Sequence, residues 1–225
     1  MLRVFFVALV ALVTSAHAQV APTPSELAAY TGLFAAAAQG DTAAIGKLTT
    51  QGANVNAKDA RGRTPLHVAA FMKQRDAIRA LAAAGANPNA LENDRYDMVT
   101  IAAVANDVPT LEAALAAGNL ATNVTSRYDG TALIAAAHLG HVEVVRVLIK
   151  AGAPLDHVNN LGWTALIESI VLGDGGARHT ATLAALLDAG ANVHIADRNG
   201  VTPLHLAQAN GYREMADLLE QAGAR

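Results

Sequence analysis

The sequence predicts an all-α solenoid of about six helix-turn-helix units joined by loops or hairpins. Two ladders and one compositional bias predict it. A Gly followed by a small residue or Asn recurs at Gly52, Gly85, Gly118, Gly152, Gly190 and Gly223, in steps of 33, 33, 34, 38 and 33 residues. Beside it run Thr64-Pro-Leu-His67, Asp97-Met-Val-Thr100, Thr131-Ala-Leu-Ile134, Thr164-Ala-Leu-Ile167 and Thr202-Pro-Leu-His205, in steps of 33, 34, 33 and 38. Hydrophobic residues make up 52% of the 225-residue chain but aromatics only 4%, so the apolar bulk is Ala, Leu and Val. Small side chains suit helices packed close together, each unit burying its apolar stripe against its neighbours.

The first element is not part of that array. Residues 1–18 read MLRVFFVALVALVTSAHA. Arg3 is a short basic start, Val4 to Val13 an apolar run of leader length, and Ala16-His17-Ala18 a small-x-small cleavage site. Cleavage is expected between Ala18 and Gln19. The run is short for a bilayer span and no later segment reaches about 18 uninterrupted apolar residues, so no membrane anchor is expected after cleavage. The chain has no Cys, which removes thiol chemistry, Cys metal sites and a lipidated cysteine together. Gln19 to Pro24, QVAPTP, reads as a flexible Pro-rich linker. The expected location is therefore the periplasm or the extracellular medium, and the style of the leader points to a bacterial source.

Within one unit, Thr64 can cap a helix start and Pro65 fits its first turn. Leu66, Ala69 and Ala70 form a stripe at helical spacing. A second helix is expected from about Asp76 to Ala84, with Ile78 and Leu81 inward. Gly85 then supplies the left-handed conformation that ends it. The polar stretch from Asn87 to Arg95 is the loop to the next unit.

TPLH, the helix pair, the terminal Gly-Ala and the 33-residue step resemble ankyrin repeats, over about residues 33–225. The resemblance gives units at about 33–57, 58–90, 91–123, 124–157, 158–195 and 196–225, with a preceding helix beginning near Ser25; the repeat domain is residues 25–225. Two units depart from the pattern. The third replaces TPLH with Asp97-Met-Val-Thr100 and carries Pro109 early in its second helix, so it is expected to be the least regular. The fifth carries about five extra residues near Gly173 to Ala177, either a ligand-contacting insertion or a neutral loop.

No residue pattern proposes catalytic, cofactor-binding or metal-ligating residues. Gly40 to Lys47 has one residue too many for a phosphate loop and is followed by Leu48 where Ser or Thr is needed. His138 and His141 could share a helix face but have no acidic or Cys cluster to complete a metal site. His67 and His205 fill the last position of TPLH, where the resemblance implies a backbone-bonding role. Asn123-Val-Thr125 matches a glycosylation sequon. The net charge of −3 offers no basic excess for nucleic acid.

The resemblance implies a monomeric, non-enzymatic module without cofactors that binds a protein partner through projecting loops and the exposed side of the first helices. The residues this places at the contact are Arg61, Arg63, Phe71, Met72, Tyr96, Arg127, Tyr128, His138, Leu139, Asn160, Leu161, Trp163, Arg198 and Asn199, with Val104 and Leu172 on the same face. Of seven aromatics after Ala18, Phe71, Tyr96, Tyr128 and Trp163 fall here, and Trp, Tyr and Arg are common interface anchors. The alternative is an enzyme or small-molecule or metal binder using the fifth-unit insertion, with His179, Asp174 and Trp163.

Overall fold

A computed structural model describes residues 19–225; the expected leader, 1–18, lies outside the described residues. Thirteen helices follow in chain order, and among the described residues there is no strand, only an isolated bridge between Thr125 and Gly130. After the short α1 (Pro24–Ala29), the helices alternate between two layers. The inner layer is α2 (Gly32–Gln39), α4 (Pro65–Phe71), α6 (Met98–Val104), α8 (Ala132–Leu139), α10 (Ala165–Val171) and α12 (Pro203–Ala209). The outer layer is α3 (Thr42–Thr50), α5 (Arg75–Ala83), α7 (Val108–Ala116), α9 (Val142–Lys150), α11 (Ala177–Asp188) and α13 (Arg213–Gln221). Each helix packs on its partner and on its counterpart in the next unit.

The expected stripes face inward. Leu66, Ala69, Ala70, Ile78 and Leu81 are buried in unit two and join one continuous apolar core running from Leu33 to Ala224. Burying one such Leu or Ile stabilises the fold by roughly 1.5–3 kcal/mol, and the alanines between them let the helix backbones approach. Gly85 adopts φ +88° and its amide bonds to the Ala82 carbonyl at 2.9 Å, closing the unit as expected.

Three expectations need correction. The linker is shorter than QVAPTP suggests: Pro22 is buried, and Thr23 and Glu26 form a reciprocal capping box that starts α1 at Pro24. Unit three is not irregular. Its α6 has 7 residues and its α7 has 9, the lengths of α4 and α5. Asp97 caps α6 through the Thr100 amide at 2.8 Å, and Pro109 falls in the first turn of α7, where its missing N–H costs no helix bond. Finally, the extra residues of unit five, expected as a ligand contact or a neutral loop, pack against the next unit. Gly175 sits at φ +66° with the Tyr212 ring against it, so that any side chain there would overlap the ring. Tyr212 Oη donates to the Gly173 carbonyl at 3.1 Å. The insertion buttresses the junction with unit six and lengthens α11 to 12 residues.

Candidate functional site

The inner helices α6, α8 and α10 and the loops ahead of them enclose an open cavity of about 440 Å³. Its walls are largely apolar: Val104 from α6, Ile134 and Leu139 from α8, Leu172 just after α10, and Leu161 from the loop, with the rings of Tyr96 and Tyr128. The wall residues come from successive units because one helical position recurs at the repeat period and the inner helices stand side by side.

The floor is polar. Glu168 on α10 is 4% exposed, and Asn159 Nδ2 donates to its Oε1 at 2.8 Å. His138 Nδ1 lies 3.3 Å from Glu168 Oε2. Thr100, Thr125 and Thr131 complete the polar lining. Thr131 caps α8 and Thr100 is held by the cap of α6, so part of the floor comes with the helix starts, and a ligand's polar atoms could use it.

Of the residues predicted at the contact, the structure brings Tyr96, Tyr128, His138, Leu139 and Leu161 together around this cavity, with Val104 and Leu172. The others lie elsewhere. Arg63 is 1% exposed: its Nε donates to Asp59 Oδ2 and its Nη2 to Glu26 Oε1, each at 2.7 Å, so it is not on an open surface. Arg61 is exposed but bonded to the same Glu26 oxygen at 3.3 Å. Phe71 and Met72 are half-buried against the core. Trp163 is half-buried and outside the cavity lining, its amide bonded to Asn159 Oδ1 at 3.0 Å.

The loop tips are occupied with one another. The amides of Asn93, Ser126 and Asn160 donate to the carbonyls of Arg61, Arg95 and Tyr128 at 3.0, 2.9 and 2.8 Å, linking each tip to the one before. Asn160 also donates its side-chain amide to the Arg127 carbonyl at 2.9 Å, Arg198 donates to the Asn160 carbonyl, and Arg127 pairs with Asp94. The Asn199 amide bonds to Asp197 Oδ1 at 2.8 Å within its own turn. Arg127, Asn160 and Arg198 therefore stay exposed while stapling the loops, and Asn199 stays exposed in its own turn.

Sequence reasoning missed Ile134, Asn159 and Glu168. Ile134 occupies the TPLH histidine position of unit four, and its departure from His was the available signal. Glu168 hides within an apolar run, Ala165 to Val171, where an acid at helical spacing is itself the anomaly.

The histidines act mainly as bridges. His67 Nε2 lies 3.1 Å from the Tyr96 carbonyl, His141 Nδ1 3.0 Å from the Ala103 carbonyl and His157 Nε2 2.6 Å from the Asp129 carbonyl. Burial pushes His67 below the usual histidine range and outweighs its hydrogen bond to Tyr96. In the fifth unit His179 Nδ1 lies 2.8 Å from Asp174 Oδ1, and its Nε2 3.0 Å from the His138 carbonyl. One ring nitrogen thus holds Asp174 of the insertion and the other ties α11 to unit four. Among the described residues, no group of three or more His, Asp or Glu could hold a metal ion.

The comparisons with known proteins agree with this architecture. A family model for ankyrin repeats in three copies matches residues 9–92 and 99–195, and one for many copies matches 176–220. The ankyrin repeat protein YahD of Escherichia coli is 34% identical over 190 residues, covering 84% of this chain and 94% of YahD. Among solved structures, an ankyrin repeat domain from Acinetobacter baumannii (ABAYE2397) has a TM-score of 0.80 at 44% identity, covering 86% of this chain and 98% of that one. The ankyrin repeat domain of Bcl-3, a member of the IκB family, reaches 0.77 at 28% identity, with 87% of each chain covered.

Proposed function

Because the chain belongs to the ankyrin-repeat family, we propose that it is a non-catalytic module that binds a protein partner through its concave face, and that it does so outside the cytoplasm. The observation that carries the binding reading is the open cavity of about 440 Å³ across units three to five, apolar in its walls and polar in its floor. That combination suits one large side chain or a short extended segment of a partner, with the rings of Tyr96 and Tyr128 as rigid contact area. Export rests on the leader-like residues 1–18 alone.

Capture from a non-cytoplasmic fraction of the source organism tests both parts. A bound protein should be lost from a Tyr128→Ala/Leu139→Ala chain that keeps wild-type helicity and melting temperature. Truncating a true anchor costs about 2 kcal/mol or more, roughly a thirtyfold loss of affinity. A partner indifferent to both substitutions would move the contact off this face. Amino-terminal sequencing of the recovered chain should begin at Gln19; a chain found only in the cytoplasm with residues 1–18 intact would end the export reading.

A further inference from the structure

Residues 19–31 form an arm ahead of the repeats, and it is held differently from everything after it. Helix α1 buries none of its side chains. Its main ties are polar. Glu26 Oε1 accepts from Arg63 Nη2 at 2.7 Å and from Arg61 Nε at 3.3 Å. Arg63 Nη1 donates to the Val20 carbonyl at 3.3 Å, and Tyr30 Oη donates to Asp59 Oδ2 at 2.7 Å. The arm's apolar support is buried Pro22 and Tyr30, which stacks on Phe34 with ring centroids 5.2 Å apart and packs against the end of the core. Each repeat, by contrast, joins the next through the continuous apolar core.

All three residues that grip the arm, Asp59, Arg61 and Arg63, belong to the loop tip of unit two, the surface type that the other units present to solvent. The arm's far end reaches the concave face itself: Gln19 lines the cavity, and its Nε2 is buried with no acceptor among the described residues. One short segment thus spans a loop tip and the edge of the groove, and its departure would leave Arg63, 1% exposed, in need of another acid in place of Glu26.

We propose that residues 19–31 are an intramolecular occupant of the array's partner-binding surface. They give way to an acidic peptide segment that presents a carboxylate and a hydroxyl-bearing ring four residues apart, as Glu26 and Tyr30 do. The charge balance favours this occupant, since Arg61 and Arg63 face one loop carboxylate, Asp59, and gain a second acid from the arm. This inference rests on the binding-module reading. Tethering gives the arm an effective concentration of about millimolar, so a free peptide should compete poorly until the arm is weakened.

The test uses the 19–225 chain and a fluorescein-labelled peptide of residues 19–31, QVAPTPSELAAYT, followed by anisotropy. The wild-type chain should take up the peptide at least tenfold more weakly than a Glu26→Gln/Tyr30→Phe chain. A peptide carrying those same two substitutions should not bind, and because only the peptide changes in that arm of the experiment, folding of the protein is not in question. Hydrogen exchange of residues 19–31 should accelerate in the substituted chain while the repeats keep their protection. Equal uptake by both chains, uptake by neither, or equal binding of the substituted peptide would each overturn the proposal. A wild-type dimer that dissociates on Glu26→Gln would overturn the intramolecular assignment by giving the arm to a second copy. Loss of the peptide result alongside a natural partner captured through Tyr128 and Leu139 would remove the arm and leave the module standing.

Discussion

Units two and three build the same pair of helices around different polar hubs. In unit two the hub is a ring. The Thr64 amide donates to His67 Nδ1 at 3.1 Å, which makes Nδ1 the acceptor and leaves Nε2 to donate to the Tyr96 carbonyl of the next unit at 3.1 Å. In unit three the hub is a fully buried carboxylate. Asp97 Oδ1 accepts from the Thr100 amide and hydroxyl at 2.8 and 2.7 Å, while Oδ2 accepts from Asn119 and Asn123 at 2.8 and 2.9 Å. A neutral imidazole both accepts and donates, so it bridges units by itself; a carboxylate only accepts, so donors must be brought to it. The junction onward is then made by Thr100 Oγ1, which reaches Thr125 Oγ1 at 3.0 Å. What the repeat requires here is satisfaction of the helix start together with a link to the following loop; His67 meets it from the third helical position and Asp97 from the N-cap, each accepting a backbone amide, and only the ring also donates onward.

The largest effect should come from removing the carboxylate. Asp97→Ala withdraws the shared acceptor of four donors at a site that is 0% exposed, leaves the Thr100 amide without an acceptor, and deletes a helix cap, at an expected cost of about 4 kcal/mol. Urea unfolding followed by circular dichroism should show it, and because repeat arrays need not unfold in one step, the loss should appear as an early transition of the units around α6. Asp97→Asn keeps an acceptor for the Thr100 amide but turns an NH₂ toward Asn119 and Asn123, so about half that cost is expected. A cost under about 1 kcal/mol for the alanine variant would mean that the asparagines find other acceptors and that the carboxylate is no hub.

The difference between these units explains what the sequence could show. Helix positions and the inward stripe were legible because each rests on local spacing, and Gly85 or Leu81 has one role wherever the period places it. The regularity of unit three was less so, because besides its local cap on Thr100, Asp97 works through Asn119 and Asn123, more than 20 residues on. Arg63 looked like any loop-tip arginine; its burial comes from Glu26 and Val20, 37 and 43 residues earlier, in a stretch whose prolines read as linker. Asn160 and Arg198 are exposed at loop tips, as expected, but spend their hydrogen bonds on neighbouring loops. Less than half of the cavity lining was legible, as side chains flanking the inner helices. Its floor was not, since Glu168 and Asn159 are a non-local, buried pair.

The ring hub should be somewhat cheaper to lose and, unlike a cap alone, should carry a pH dependence. His67→Ala removes an acceptor for the Thr64 amide and a donor to Tyr96, an expected cost of about 2–3 kcal/mol. Burial depresses the His67 pKa below its ordinary 6.5, so the folded chain binds its proton later than the unfolded chain as pH falls. Its contribution is therefore complete above about pH 6.5 and is lost as pH drops through the folded value. Stability measured in urea from pH 7.5 to 5 should decline for wild type and decline less for His67→Asn. Asp97→Asn, which leaves the ring in place, should keep the wild-type slope. An unchanged slope in His67→Asn would assign the acid sensitivity to other histidines and dissolve this part of the contrast.

The smallest effect should come from the outermost donor of unit three. Asn123 is half-buried, and its Nδ2 reaches both Asp97 Oδ2 at 2.9 Å and Asn89 Oδ1 at 2.8 Å. In Asn123→Ala the carboxylate keeps Asn119 and Thr100, and Asn89 Oδ1 keeps the Leu120 amide at 2.9 Å, so no group is stranded and about 1 kcal/mol is expected. The same geometry ties up the amide of the Asn123-Val-Thr125 sequon in the folded chain. Coupling sharpens the point. If Asn123 acts through the hub, the Asp97→Ala/Asn123→Ala chain should unfold at nearly the urea concentration of Asp97→Ala alone, a coupling of about 1 kcal/mol between the two sites. Strict additivity would show instead that Asn123 stabilises the loop through Asn89, and the hub of unit three would shrink to Asp97, Asn119 and Thr100.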